Sequence, residues 1–195
     1  VGIECTEETR RAYREMLLTT PGLGDHISGA ILYDETLRQS TKDGRRFVDV
    51  MRAAGVLPGI KVDLGTVGLA GFPGELITEG LDGLRERLKE YVALGAKFAK
   101  WRAVITIAED KPSAACIDAN CHALARSAAL CQEAGIVPMV EPEVLMDGAP
   151  GVSLVYLATD FETSLARVGR RQGHYMKADM VKSQFGPSAD AASVV

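Results

Sequence analysis

Short apolar runs of strand length alternate along this chain with longer segments whose apolar residues recur at helical spacing. Thr6 opens the first helix, with Glu7 and Glu8 in its first turn, where carboxylates suit the positive end of the peptide dipoles. Tyr13, Met16, Leu17 and Leu18 continue it, and Thr20-Pro21-Gly22-Leu23-Gly24 stops it. Ile27–Tyr33 is the first strand. Phe47 to Ala54 reads as a helix ended by Gly55, Leu57–Leu64 as the second strand, and Gly65 to Gly74 as a glycine-rich loop. Leu81, Leu84, Leu88 and Tyr91 mark a further helix closed by Gly95, and Ala96–Ile107 is the third strand. Ser113, after Pro112, caps a helix that Gly135 ends, and Ile136–Leu145 is the fourth strand. In that last helix Ile117, Cys121, Leu124, Ala128 and Cys131 step by 4, 3, 4 and 3. This is one helical face, and it predicts Cys121 and Cys131 as small core residues. After Gly148 the pattern weakens to a short strand over 152–157, a helix over 161–168, the basic pair Arg170-Arg171 and a polar tail over 186–193. The expected division is 1–148, a βα domain, and 149–195, a divergent C-terminal segment.

Strand then helix, repeated with helix-length connections, predicts βα units on a parallel sheet. Crossovers of that length exclude a hairpin-rich fold. Two architectures remain, the open doubly wound sheet and the closed (β/α)8 barrel. No G-x-G-x-x-G follows a strand, so the dinucleotide fingerprint is missing. A whole barrel takes roughly 250 residues. At 195 residues this chain is expected to hold about four to six of the eight βα units.

Composition narrows the function. With 47% hydrophobic and 25% charged residues the chain is an ordinary globular one. A net charge of −4 weighs against a general nucleic-acid binder. No run of about 18 apolar residues predicts a membrane span. The opening Val1-Gly2-Ile3-Glu4 is not a signal peptide, and a start without Met predicts a processed, cut or omitted N-terminus. Four cysteines, at 5, 116, 121 and 131, form no CxxC pair. Cys116, Cys121 and His122 lie close together, but helical periodicity accounts for the cysteines, so no metal is expected.

The informative feature is where charges interrupt the strands. The second strand carries Lys61 and Asp63, the third Lys100 and Arg102, the fourth Glu141 and Glu143, each pair at i and i+2. Strand alternation puts both members on one face and Ile60, Val62, Ala99, Trp101 and Val140 on the other. Parallel strands normally read as continuous apolar runs because both faces are covered. A buried unpaired charge costs several kcal/mol, so these six groups must pair with one another or meet a ligand. One outcome is a self-neutralised ion network. The other is an active site at the C-terminal strand ends, where barrels keep their chemistry. Two lysines facing carboxylates suit imine chemistry on a carbonyl, since an amine attacks only when deprotonated and a neighbouring ammonium lowers its pKa. A nearby carboxylate then moves protons, and the cations hold phosphate.

Six segments resemble the class I, Schiff-base fructose-bisphosphate aldolases, most closely the plant and algal forms. They are Thr6-Glu7-Glu8-Thr9-Arg10-Arg11-Ala12-Tyr13-Arg14, Gly29-Ala30-Ile31-Leu32-Tyr33-Asp34-Glu35-Thr36-Leu37, Gly59-Ile60-Lys61-Val62-Asp63, Gly80-Leu81-Asp82-Gly83-Leu84, Phe98-Ala99-Lys100-Trp101-Arg102 and Ile136-Val137-Pro138-Met139-Val140-Glu141-Pro142-Glu143. The resemblance implies a (β/α)8 barrel, a homotetramer, a cytoplasmic or plastid location and no cofactor. It implies reversible cleavage of fructose 1,6-bisphosphate to dihydroxyacetone phosphate and glyceraldehyde 3-phosphate through a lysine imine. Glu141 matches the family's acid/base glutamate, and Glu143 follows it. Lys100 matches the lysine beside the imine. Arg102, Lys61 and Arg10 match cations of the substrate and phosphate region, with Asp63 placed beside them at the substrate. The nearest match to the imine lysine's Leu-Leu-Lys-Pro-Asn-Met-Val is Tyr175-Met176-Lys177-Ala178-Asp179-Met180-Val181, which names Lys177. The family's first strand, with its catalytic aspartate, and strands seven and eight have no counterpart in the sequence. That gap leaves a second reading open, a non-catalytic structural or binding protein derived from an aldolase. Open strand edges predict a partner chain or a homo-oligomer covering them.

Overall fold

The computed structural model describes residues 2–145. The first helix, α1 (Glu7–Leu18), begins at Thr6 with a reciprocal cap. The Thr6 hydroxyl accepts the Thr9 N–H at 3.2 Å, and the Thr9 hydroxyl accepts the Thr6 N–H at 3.0 Å. There follow β1 (Gly29–Leu32), α2 (Asp34–Arg38), α3 (Phe47–Ala53), β2 (Leu57–Lys61), β3 (Thr66–Gly68), β4 (Leu76–Thr78), α4 (Leu84–Leu94), β5 (Phe98–Thr106), α5 (Ala114–Glu133) and β6 (Val137–Leu145). Ser113 caps α5 as its sequence predicts, its hydroxyl accepting the Cys116 N–H at 3.1 Å.

β1, β2, β5 and β6 pair in that order, and every pair is parallel. These are the four strands the hydrophobic pattern predicts, each trimmed at one end or both. β5 and β6 are nine residues long and β2 only five, so the β5–β6 ladder continues past the point where β2 stops. The core lies between sheet and helices. Ile60, Ala99, Trp101 and Ala103 come from the strands, Phe47, Val48 and Met51 from α3, Leu84, Leu88 and Tyr91 from α4, and Ala123, Leu124 and Cys131 from α5. Among the described residues no helix is long and apolar enough to cross a membrane.

Three expectations change. A small antiparallel hairpin, β3 with β4, begins in the glycine-rich loop and closes just beyond it, in the register Thr66↔Thr78. Its three-residue strands are too short to show a periodicity of their own. The short helix α2 is also absent from the sequence reading, because five residues hold barely one helical repeat. The buried stripe of α5 runs through Cys116, Asn120, Ala123, Ser127 and Cys131, while Ile117 and Cys121 are exposed. Two of these buried residues are polar, and an apolar count skips them. They are tolerated because Asn120 Nδ2 donates to the Leu76 carbonyl at 2.9 Å and the Cys116 carbonyl at 3.0 Å, and Ser127 Oγ to the Leu124 carbonyl at 2.9 Å. Cys131 is a core residue as expected, and burial pushes its thiol up to about 11. Ile60, Val62, Ala99 and Trp101 occupy the helix side of the sheet as alternation predicts, but Val140 is exposed. Lys177 and the tail lie outside the described residues.

Candidate active site

Alternation along β5 puts Lys100 and Arg102 on the face opposite the buried Ala99, Trp101 and Ala103. Register places Lys61, the last residue of β2, beside Lys100, and Arg102 beside Glu141. Two ammonium groups on adjacent strands repel. Each is offset by a carboxylate. Lys61 pairs with Asp63, and Lys100 Nζ lies 2.9 Å from Glu141 Oε2. Arg102 pairs closely with Glu143, and its Nε lies 3.9 Å from Glu141 Oε1. Glu143's carboxyl is held below the usual range by the Arg102 guanidinium bonded to it. The structure thus brings together all six strand charges, in the row Asp63–Lys61, Lys100–Glu141, Arg102–Glu143. Only Lys61 sits at a strand end. Lys100, Arg102 and Glu141 are further back in their strands, because β5 and β6 outrun β2.

The six are not equivalent. Side chains of Arg102, Glu141 and Glu143 are 37–40% exposed, and the side chain of Asp63 is 2% exposed. Half-exposed ion pairs contribute little stability, so an anionic ligand can displace their carboxylates at small cost. Asp63 cannot be displaced in that way. Its Oδ1 accepts from Lys61 and from the Gly65 N–H at 3.1 Å, and its Oδ2 accepts the Arg102 N–H at 3.3 Å. The Gly65 bond is an Asx turn that carries the chain out of the sheet, and Gly65 supplies the required φ of +98°. Within the chain, Asp63 is a buried carboxylate whose two oxygens are occupied by Lys61, Gly65 and Arg102. Lys61 Nζ also donates to the Asp63 carbonyl at 3.0 Å, which leaves one of its three N–H donors for another acceptor.

Arg10 stands apart from the row. Its guanidinium bonds Glu35 of α2 at 2.7 and 3.1 Å and the Cys5 carbonyl at 3.3 Å. Arg14 shares the same carboxylate. With Arg10 and Arg14 both bonded to it, Glu35 is held down to about 2. Arg10 thus ties α1 to α2. A cleft between α4 and α5, lined by Leu81, Arg85, Arg126, Leu130 and Glu133, shares no residue with the strand charges. Cys116 is buried while Cys121 is exposed, so the cysteine cluster of the sequence is split between two sides of α5.

One residue beside the row was not anticipated. Thr78, at the end of β4 and buried, donates from Oγ1 to the Arg102 carbonyl at 2.7 Å. Its only sequence signal was a pair of triplets containing β-branched residues, Thr66-Val67-Gly68 and Leu76-Ile77-Thr78, flanking a glycine-rich turn.

Taken together, the face offers three cations for phosphate or a carbonyl oxygen and a half-exposed carboxylate, Glu141, against a lysine, an arrangement able to move a proton. A model of the glycolytic class I fructose-bisphosphate aldolase family matches residues 1–168. A probable class 1 fructose-bisphosphate aldolase of Xanthomonas axonopodis pv. citri is 68% identical over 82% of this chain and 48% of its own length. One from Xanthomonas campestris pv. campestris is 60% identical over 98% of this chain and 59% of its own. Cytosolic fructose-bisphosphate aldolase 4 of Arabidopsis thaliana is 54% identical over 82% and 41%. Among solved structures, fructose-bisphosphate aldolase of Plasmodium falciparum, crystallised with TRAP and a small-molecule inhibitor, superposes with a TM-score of 0.75 at 42% identity, covering 86% of this chain and 46% of that one. The chain therefore spans about half the length of the curated relatives it matches. Its four parallel strands and outer helices are part of a (β/α)8 barrel, and the chain belongs to the class I fructose-bisphosphate aldolase family.

Proposed function

We propose that this protein works as a class I fructose-bisphosphate aldolase, cleaving fructose 1,6-bisphosphate reversibly to dihydroxyacetone phosphate and glyceraldehyde 3-phosphate. The observation that carries the reading is the row of strand charges. Three cations and two carboxylates share one face of parallel strands in a chain of this family, with Asp63 buried beneath them, and the pairs most exposed to solvent are weak enough to open to a phosphate ester. Lys61 and Arg102 hold phosphate and hydroxyl oxygens. Lys177 supplies the amine that attacks the ketone carbon, and water leaves as the iminium forms. The iminium then accepts the electron pair of the breaking C3–C4 bond, and Glu141 moves the protons. Lys100, positively charged beside the amine, disfavours a second ammonium there. Glu143 holds Arg102 while no substrate is bound. The reading includes a homotetramer. It also includes a cytoplasmic or plastid location, which relatives named cytosolic and chloroplastic support.

Borohydride added with dihydroxyacetone phosphate should trap a covalent adduct on the peptide containing Lys177, and chelators should leave activity intact. An adduct mapped elsewhere keeps the mechanism and removes Lys177 from it. No adduct at all favours the second reading, an aldolase-derived binding or structural protein. The observation behind that reading is that each strand cation already has a carboxylate partner within the chain.

A further inference from the structure

β2 ends at Lys61, while β5 runs on to Thr106. The last main-chain bond joining the two strands runs from the Val62 N–H to the Lys100 carbonyl, at 3.0 Å. From there β5 would present an unsatisfied N–H and C=O at Arg102 toward the side β2 has vacated. Unpaired buried main-chain groups are costly. Two side chains take the place of the missing strand. Asp63 Oδ2 accepts the Arg102 N–H at 3.3 Å, and Thr78 Oγ1 donates to the Arg102 carbonyl at 2.7 Å. Both residues are buried, at 6% and 4% exposure.

Neither side chain hangs free. Asp63 is fixed by its Asx turn at Gly65, and the hairpin returns to the same place, with the Leu64 N–H bonded to the Glu79 carbonyl at 3.0 Å and the Glu79 N–H to the Gly65 carbonyl at 2.9 Å. Further up, Asn120 of α5 holds the Leu76 carbonyl. Glu75, buried, accepts from Ser113 N–H at 2.7 Å and Ser113 Oγ at 2.6 Å, which ties β4 to the cap of α5. β4 is thereby clamped between α5 and β5, and its terminal hydroxyl meets the main chain of the residue whose guanidinium faces the site.

We infer that Asp63 and Thr78 are positioning residues: acting as a side-chain substitute for the strand that ends at Lys61, they hold the Arg102 main chain and so set the guanidinium that receives a substrate phosphate. The inference rests on the aldolase reading for its phosphate. It adds that the β3–β4 hairpin is part of the site's support, and that Asp63 holds the Lys61 ammonium and the Arg102 main chain at once without touching substrate.

The test uses the intact protein and fructose 1,6-bisphosphate. Thr78→Val keeps the shape and removes the hydroxyl. KM should rise roughly three- to tenfold, the loss of one hydrogen bond's worth of positioning, with kcat within about twofold. Thr78→Ser should restore KM. Asp63→Asn, which turns one carboxylate oxygen into an NH2 facing a donor, should raise KM further. KM unchanged in Thr78→Val, or a KM that Thr78→Ser fails to restore, overturns the inference. If Thr78→Val does not fold, amide exchange of the unaltered protein decides: the Arg102 N–H should exchange as slowly as the Val62 N–H, and fast exchange overturns it. Imine trapping by borohydride, run in parallel, separates the two ideas. No adduct in the unaltered protein refutes the aldolase reading, while the exchange result still decides whether Asp63 holds the Arg102 N–H.

Discussion

Trp101 is the only tryptophan in the chain, lies between Lys100 and Arg102 on β5, and is 1% exposed on the helix side. Its indole Nε1 finds no hydrogen-bond acceptor among the described residues. The side chain therefore contributes two opposed effects. Replacing it with Phe removes apolar volume equivalent to two or three methylenes, a loss of roughly 2 kcal/mol. It also removes a buried, unpaired N–H, a relief of about 1–3 kcal/mol. The two nearly cancel, so Trp101→Phe should lie within about 1 kcal/mol of the unaltered protein. Trp101→Ala has no such compensation and should lose about 3–5 kcal/mol. Urea unfolding followed by far-UV circular dichroism measures both, since the Phe variant has no indole fluorescence to follow. Because Trp101 anchors the strand segment that carries Lys100 and Arg102, the Ala variant should also lose substrate affinity, and the Phe variant should keep it. A Phe variant destabilised by 2 kcal/mol or more would refute the reasoning, because it would mean that the indole N–H is satisfied in the folded protein.

Glu35, bonded by Arg10 and Arg14, is held down to about 2, below its ordinary value of 4.5. A carboxyl whose folded pKa is depressed contributes stability above its unfolded pKa and loses it as pH falls through the folded one. Glu35→Gln should therefore lower Tm at pH 7, with the gap from the unaltered protein narrowing between about pH 4.5 and pH 2 and salt weakening it throughout. Cys5 and Cys121 are exposed while Cys116 and Cys131 are buried. A thiol reagent should label Cys5 and Cys121 in the native protein and reach Cys116 and Cys131 only after denaturation, the Cys131 thiol being doubly protected by burial and a pKa of about 11.

The elements that periodicity could reach were legible from the sequence, because a strand of four to nine residues or a helix of seven or more repeats its pattern often enough to be read. The caps at Thr6 and Ser113, the four parallel strands and the shared face of Lys61, Lys100, Arg102, Glu141 and Glu143 all belong to this class. Each follows from local rules: a hydroxyl before a helix, alternation along a strand, a charge where a covered sheet should be apolar. Tertiary structure decided what depends on neighbours far away in sequence. That Asp63 is buried beneath the row follows from β5 passing 39 residues later and offering the Arg102 N–H. That Arg10 joins two helices follows from Glu35 lying within reach, 25 residues on. The α5 stripe runs through Asn120 and Ser127 because carbonyls of the hairpin and of the helix itself accept from the Asn120 amide NH2 and the Ser127 hydroxyl, and an apolar count cannot foresee a partner. The same holds for Thr78, a residue of ordinary β-propensity whose role exists only because β2 stops short and leaves a carbonyl for it to hold.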